Sequence, residues 1–300
     1  MKKPLLVIVL GPTGVGKTAI AIALAKKFET CILSADSRQF YKEIPIGTAQ
    51  PAAQELMEVK HYFIAENSIA NPIDAGTYGR EARKILAAEF KMHSIVIMAG
   101  GSGLYIDAAV NGFDVLPDAD LAIREELQTR FELNGIETLQ QELEKLDPEF
   151  YAEIDKNNPS RLIRAIEVCR LSGKKYSELR AGKQEDLPFD VLKIGLDLQR
   201  EELYARINLR VDDMMERGLE EEAKAVFPNR KLNALQTVGY KELFDFFDGI
   251  ITKEKAVELI KQHSRNYAKR QLTWWRRDVE IRWFKPSEIS LIEELILAQE

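Results

Sequence analysis

An apolar, β-branched run, Leu5-Leu6-Val7-Ile8-Val9-Leu10, leads straight into Gly11-Pro12-Thr13-Gly14-Val15-Gly16-Lys17-Thr18, and Ala19 to Phe28 continues with apolar residues at helical spacing. The octapeptide satisfies G-x-x-x-x-G-K-[ST] in full, with the preceding strand and following helix that the motif needs. A strand that delivers its chain into a phosphate turn at a helix N-terminus belongs to a parallel α/β sheet. Glycines let backbone N–H groups curl around phosphate oxygens, and the helix N-terminus adds partial positive charge. Lys17 supplies a point charge, and the Thr18 hydroxyl can hold Mg²⁺. The loop predicts a grip on a di- or triphosphate, with Gly11, Pro12, Thr13, Gly14, Val15, Gly16, Lys17 and Thr18 as its residues and Mg²⁺ as cofactor.

Further strands fit that sheet. Cys31-Ile32-Leu33-Ser34-Ala35, Ser94-Ile95-Val96-Ile97-Met98-Ala99 and Val191-Leu192-Lys193-Ile194-Gly195-Leu196 are short apolar runs, the pattern of strands buried on both faces. A helical stretch around Tyr78 to Lys91 separates the first two. Helices are also predicted near Glu201 to Met215, Gly218 to Val226 and Glu254 to Trp275. Between the halves the texture turns Glu-, Leu- and Lys-rich, broken at Asn134-Gly135, Asp147-Pro148, Asn158-Pro159 and Ser172-Gly173. The expected fold class is therefore α/β: a P-loop NTPase-like three-layer core with a parallel sheet, residues 1–112 and 191–300, plus a helical insertion domain at 113–190.

The remaining composition excludes several classes. Three hundred residues, 45% hydrophobic and 30% charged, can bury a sizeable core. Met1-Lys2-Lys3 and the apolar run after it lack a small-residue cleavage site, and charges recur too often for a membrane helix. Cys31 and Cys169 are far apart, and His61, His93 and His263 lack ligand spacing, so neither a disulfide framework nor a transition-metal site is expected. A soluble, cytoplasmic protein fits. The net charge of −6 hides a local basic concentration: Lys261, Arg265, Lys269, Arg270, Arg276, Arg277 and Arg282 against Asp278 and Glu280. Lys261, Arg265 and Lys269 share a helix face, suited to tracking a phosphate backbone. Trp274 and Trp275 are expected in the core, as are Met214 and Met215, with base stacking the alternative for Trp274, Trp275 and Trp283.

A P-loop specifies phosphate but not the phosphate compound. Ala99-Gly100-Gly101 follows the third strand where a Walker-B acid often stands, Asp197 lies beyond the insertion, and no N-K-x-D string is present. A kinase of a small metabolite or nucleoside and a non-enzymatic, nucleotide-sensing RNA-binding protein both stay open on these residues alone.

Longer strings narrow the choice. Asp36-Ser37-Arg38-Gln39-Phe40-Tyr41, Ile46-Gly47-Thr48-Ala49-Gln50-Pro51 and Gly100-Gly101-Ser102-Gly103-Leu104-Tyr105 resemble the tRNA dimethylallyltransferases, or tRNA isopentenyltransferases. So do the segment from Asn158 to Val168, Val238-Gly239-Tyr240-Lys241-Glu242, and Tyr267-Ala268-Lys269-Arg270-Gln271-Leu272-Thr273-Trp274. Gly14-Val15 stands in for the family's usual Ala-Ser, Ser102 for threonine, and the insertion is short. Without the cysteine- and histidine-bearing tail of eukaryotic relatives, the resemblance is to the bacterial type.

The resemblance implies transfer of a dimethylallyl group from dimethylallyl diphosphate to N6 of the adenosine immediately 3′ of a tRNA anticodon, by a monomer. The P-loop then holds a leaving diphosphate, not ATP. Asp36, just past a strand, is the expected proton acceptor for the adenine amine. Arg206, in a string resembling the family's diphosphate-binding arginine segment, is expected on the leaving group, with Arg210 one turn later its rival. Ser102 is expected to hydrogen-bond the tRNA at the reacting site. The tRNA-binding set implied is Asp36, Ser37, Arg38, Gln39, Ser102, Arg124, Ser160, Arg161, Leu162, Ile163 and Arg164, gripping an anticodon stem-loop whose target base is extruded into a dry pocket.

Overall fold

The six residues of the first strand are all buried, and successive side chains enter different cores. Leu6, Ile8 and Leu10 pack with Leu33, Val96 and Met98 against Tyr78, Ala82 and Leu86. Leu5, Val7 and Val9 pack with Ile32, Ile95, Ile97 and Ile194 against Ile20, Ala21 and Leu24. Two apolar cores on opposite faces of one strand explain why its sequence shows no polar alternation. Each side chain so buried contributes about 1.5–3 kcal/mol of transfer free energy.

The computed structural model describes residues 2–112, 116–180 and 187–299. Its strands are β1 (Leu5–Leu10), β2 (Ile32–Ser34), β3 (His61–Tyr62), β4 (Ile95–Gly100), β5 (Asp190–Leu196) and β6 (Arg282–Phe284). They form one sheet, ordered β3-β2-β4-β1-β5-β6, parallel at every pairing. With helices on both faces, this is the expected three-layer α/β core. The edge strands β3 and β6 went unforeseen because two or three residues carry no readable period.

From β1 the chain steps outward to β2 and β3, returns to β4 beside β1, then crosses to β5 and β6. The direction reverses at the centre of the sheet, and open α/β sheets bind ligands at the strand carboxyl ends near such a reversal. Leu10, Ser34 and Gly100 end β1, β2 and β4 there, so the chain places Gly11–Thr18, Asp36 and Ser102 at one end of the sheet.

Met1–Asn111 with Asp186–Glu300 makes one compact unit and Gly112–Glu185 a second. The expected start of the insertion, residue 113, lies outside the described residues. Its expected end, residue 190, is the first residue of β5, and Phe189 packs on Phe90 of the first unit at 5.4 Å. The second unit has its own core of Leu127, Leu139, Leu143, Leu162 and Ile166. Side chains of Asp120, Asp147 and Asn158 cap its helices by accepting from the N–H groups of Ile123, Phe150 and Arg161. Among the described residues no helix is long and apolar enough to cross a membrane.

Candidate active site

Gly11, Gly14 and Gly16 adopt φ of +144°, +81° and +106°, a backbone that side-chain-bearing residues avoid. A Cβ on Gly11 would also sit 2.6 Å from the Leu196 carbonyl oxygen. The turn feeds the Lys17–Lys27 helix, whose first N–H groups have no intrahelical acceptor. Lys17 Nζ donates to the Gly11 and Pro12 carbonyls at 3.0 and 2.9 Å. Burial lowers its pKa to about 8, with Asp36 pulling it back up and Arg210 pushing it further down. Lys17, Thr18, Ser34 and Asp36 line one small cavity of about 40 Å³.

Asp36 also lines a second, larger cavity of about 690 Å³, together with Thr13, Ser37, Arg38 and Arg210 and the apolar side chains of Ile207, Val211, Met214, Leu219, Val238 and Ile260. Its carboxylate accepts from Arg38 N–H at 3.0 Å and its carbonyl from Gln39 N–H at 3.2 Å, a tight turn that fixes the side chain. Asp36 thus lines both the small cavity beside Lys17 and Thr18 and the large apolar-walled one, all within the first unit.

The two candidate arginines separate. Arg210 faces the large cavity, where burial lowers its pKa against the pull of Asp36. Arg206 is not among the residues lining either cavity. It is exposed, pairs with Glu202 at 2.9 Å, and its Nη1 lies 4.0 Å from where a Gly16 Cβ would be. One helical turn places Arg206 at the rim of the phosphate loop and Arg210 in the cavity wall.

Ser102 and Gln39 are engaged in holding loops. Ser102 Oγ accepts from Ser37 N–H at 3.0 Å, and Ser102 N–H donates to the Ala35 carbonyl at 3.2 Å. The Gln39 amide donates to the Thr48 and Ala49 carbonyls and accepts from the Ser34 hydroxyl. Arg38 reaches Asn233 Oδ1 at 3.4 Å. Asp197, the alternative Walker-type acid, binds Arg276 at 2.9 Å.

In the second unit the expected tRNA-binding set divides. Leu162 and Ile163 are core residues, buried because they fall on the inner face of the Pro159–Ser172 helix. Arg124 and Arg164 both bind Glu167, which is 0% exposed: Arg124 Nε and Nη2 at 2.8 and 3.0 Å, Arg164 Nη1 at 2.6 Å. Arg164 also donates to the Pro117 carbonyl at 2.8 Å. Burial alone would raise the Glu167 pKa; the two arginines and the Asp120 N–H hold it below the usual carboxylate value. Ser160 and Arg161 are exposed.

The basic stripe is also divided. Lys261 pairs with Asp212 at 2.5 Å and Arg265 with Asn208 at 2.6 Å, so those two belong to a seam between the Lys253–Trp275 and Arg200–Glu216 helices. Lys269, Arg270 and Arg277 instead line an open cleft of about 380 Å³ with Asn266, Thr273 and Trp274. Trp275 is buried, as is Met214, and Met215 is partly buried against the same core, whereas Trp274 is 44% exposed, contrary to its expected place in the core. The helix turns about 100° per residue, so adjacent tryptophans point apart.

Two positioning groups escaped the residue-by-residue reading. Gln271, 7% exposed, accepts from Thr13 N–H at 2.8 Å and donates to the Gly101 carbonyl at 3.0 Å. Its signal was a polar residue on the buried face set by Ala268 and Trp275. Glu222 accepts from the N–H groups of Ile46 and Gly47 at 2.7 and 2.8 Å and from the Tyr240 hydroxyl at 2.5 Å. Tyr240 lies against Gly47 where any Cβ would collide with the phenol. Cys31 and Cys169 are buried free thiols.

The model of the IPP transferase family matches residues 39–278. The tRNA dimethylallyltransferase of Cytophaga hutchinsonii is 48% identical over 293 residues, covering 98% of this chain and 96% of that one. The tRNA dimethylallyltransferase 1 of Bacteroides fragilis is 45% identical over 283 residues, 94% of each. Among solved structures, the full-length tRNA isopentenylpyrophosphate transferase of Bacillus halodurans superposes with a TM-score of 0.73 at 35% identity, covering 99% of this chain and 97% of its own. A eukaryotic dimethylallyltransferase, solved acting on tRNA, gives a TM-score of 0.75 at 28% identity over 91% of this chain and 70% of that one.

Proposed function

The chain belongs to the IPP transferase family, and from that premise we propose that it transfers a dimethylallyl group from dimethylallyl diphosphate to N6 of the adenosine 3′ of a tRNA anticodon. The observation that carries the reading is the place of Asp36, which lines both the cavity beside Lys17 and Thr18 of the phosphate loop and the larger apolar-walled cavity. The prenyl chain lies along Ile207, Val211, Met214 and Leu219, and its diphosphate meets the N–H groups of Gly14 to Thr18. Carbon 1 of the prenyl group bonds to N6 as its bond to the diphosphate oxygen breaks. The electron pair leaves with the diphosphate, and the N6 proton passes to the Asp36 carboxylate. Asp36 as general base is worth about 10²–10⁴-fold. Lys17 and Arg210 face the charge that grows on the leaving group, where preorganised cations stabilise the transition state most.

Thr18 lines the small cavity beside Lys17 with its hydroxyl available, and among the described residues no trio of acidic, histidine or cysteine side chains could hold a metal by itself. That donor set fits Mg²⁺ arriving with the diphosphate, which the Thr18 hydroxyl would help to hold, since Mg²⁺ needs few protein ligands beside phosphates. Bound there, Mg²⁺ would neutralise charge on the leaving group.

The tRNA partner fits the exposed cleft of Lys269, Arg270, Arg277 and Trp274 in the first unit; in the second, Ser160 and Arg161 are exposed and, by the family resemblance, are further tRNA-binding candidates. On this reading the protein works in the cytoplasm, where it meets tRNA, and acts as the monomer that the family resemblance implies. Incubation with unmodified tRNA, Mg²⁺ and dimethylallyl diphosphate should raise the mass of one nucleotide by a single five-carbon prenyl group. No transfer, together with γ-phosphate release from ATP, would overturn the reading in favour of a kinase or hydrolase.

A further inference from the structure

We propose that Gln271 is a positioning residue that sets the distance between the diphosphate cradle and the carboxylate accepting the N6 proton. The inference rests on the transferase reading above. Each half of the amide is committed: Oε1 takes the Thr13 N–H of the phosphate loop, and Nε2 gives to the Gly101 carbonyl just past β4. The next residue, Ser102, continues the chain of bonds by accepting from Ser37 N–H and donating to the Ala35 carbonyl on either side of Asp36. A buried amide on the Lys253–Trp275 helix therefore joins the loops that follow β1, β4 and β2.

Two further features agree. Thr13 is the first residue of the loop after Pro12, which has no N–H, and binding its amide to Gln271 fixes where the phosphate-facing part of the turn begins. At Gly101 a Cβ would collide with Gln271 Nε2 and only then, at an ordinary 3.6 Å, meet the Gly11 carbonyl. Position 101 therefore requires glycine chiefly because Gln271 occupies the space. Diphosphate and adenine bind separate ends of this arrangement, so losing the link should spare each binding step and misplace the reacting atoms. A misplacement of about 1 Å costs on the order of 100-fold in rate.

The test is a cycle of Q271A, G101A and the double variant, with kcat and the KM of each substrate measured on tRNA and dimethylallyl diphosphate, and thermal melting as the folding control. G101A is the second route because it displaces a flexible amide and leaves the backbone free. Expected are a kcat about 10- to 100-fold lower in either single variant, KM values within about threefold, and a double variant no slower than Q271A alone. Unchanged kcat, a loss confined to KM, or rate losses that multiply in the double variant would overturn the inference while wild-type transfer kept the function intact. A wild-type protein without transfer would overturn both.

Discussion

Glu167→Gln should destabilise the helical insertion by about 3 kcal/mol. Glu167 is fully buried and accepts four hydrogen bonds: two from Arg124, one from Arg164 and one from the Asp120 N–H at 2.8 Å. Breaking a buried ion pair by removing one partner costs about 3–5 kcal/mol. Arg124 and Arg164 keep 43% and 29% of their side-chain surface exposed, so water takes back part of their charge and the low end of that range applies. The carboxamide can still accept from Asp120 N–H, but its NH₂ group turns a donor toward a guanidinium. Equilibrium urea unfolding, with hydrogen exchange at the amides of Leu162 to Cys169, measures the loss where it occurs. Because the native pKa is depressed, the contribution is present above the unfolded carboxylate value near 4.3 and is lost as pH falls through the native one. A change below about 0.5 kcal/mol, or one independent of pH between about 3 and 7, would refute the reasoning. It would also return Arg124 and Arg164 to the role of free tRNA contacts.

Three other outcomes follow from the site. Asp36→Ala should lower kcat about 10²–10⁴-fold with tRNA affinity retained in filter binding; undiminished transfer would remove Asp36 as the base. Lys17, its pKa lowered to about 8 by burial, is mostly charged below that pH and progressively loses its proton above it, so the KM for dimethylallyl diphosphate should climb as pH passes about 8. Lys17→Arg should abolish that limb, and its persistence in the variant would assign the limb to another group. Trp274→Ala should weaken tRNA binding by about 1–3 kcal/mol while leaving the melting temperature in place, whereas a large fall in stability without loss of affinity would make Trp274 a packing residue.

Local chemistry made much of this molecule legible. The strand, turn and helix around Gly11–Thr18 announce themselves within two dozen residues, and runs such as Ile95–Met98 read as strands because both faces are buried. Contacts between distant segments were not legible. Arg124 entered the tRNA-binding set because nothing local reveals that Glu167, 43 residues away and 0% exposed, faces it, whereas the Arg164–Glu167 pair, three apart on one helix, was legible in the spacing. Leu162 and Ile163 were carried into the tRNA-binding set by the string around them, although helical spacing with Ile166 already put them inside. Arg206 and Arg210 are indistinguishable by sequence spacing, and only the direction of the helix separates rim from wall.

The bond from Thr13 N–H to Gln271 spans 258 residues, which carries a consequence for synthesis. At about 5–20 residues per second, a nascent chain that has already made its phosphate loop waits on the order of 15–50 s for the amide that anchors it. During that interval the bonds that tie Thr13 and Gly101 to one amide are unmade. A contact at the start of the chain is thus completed by the longest helix among the described residues, Lys253–Trp275, near its other end.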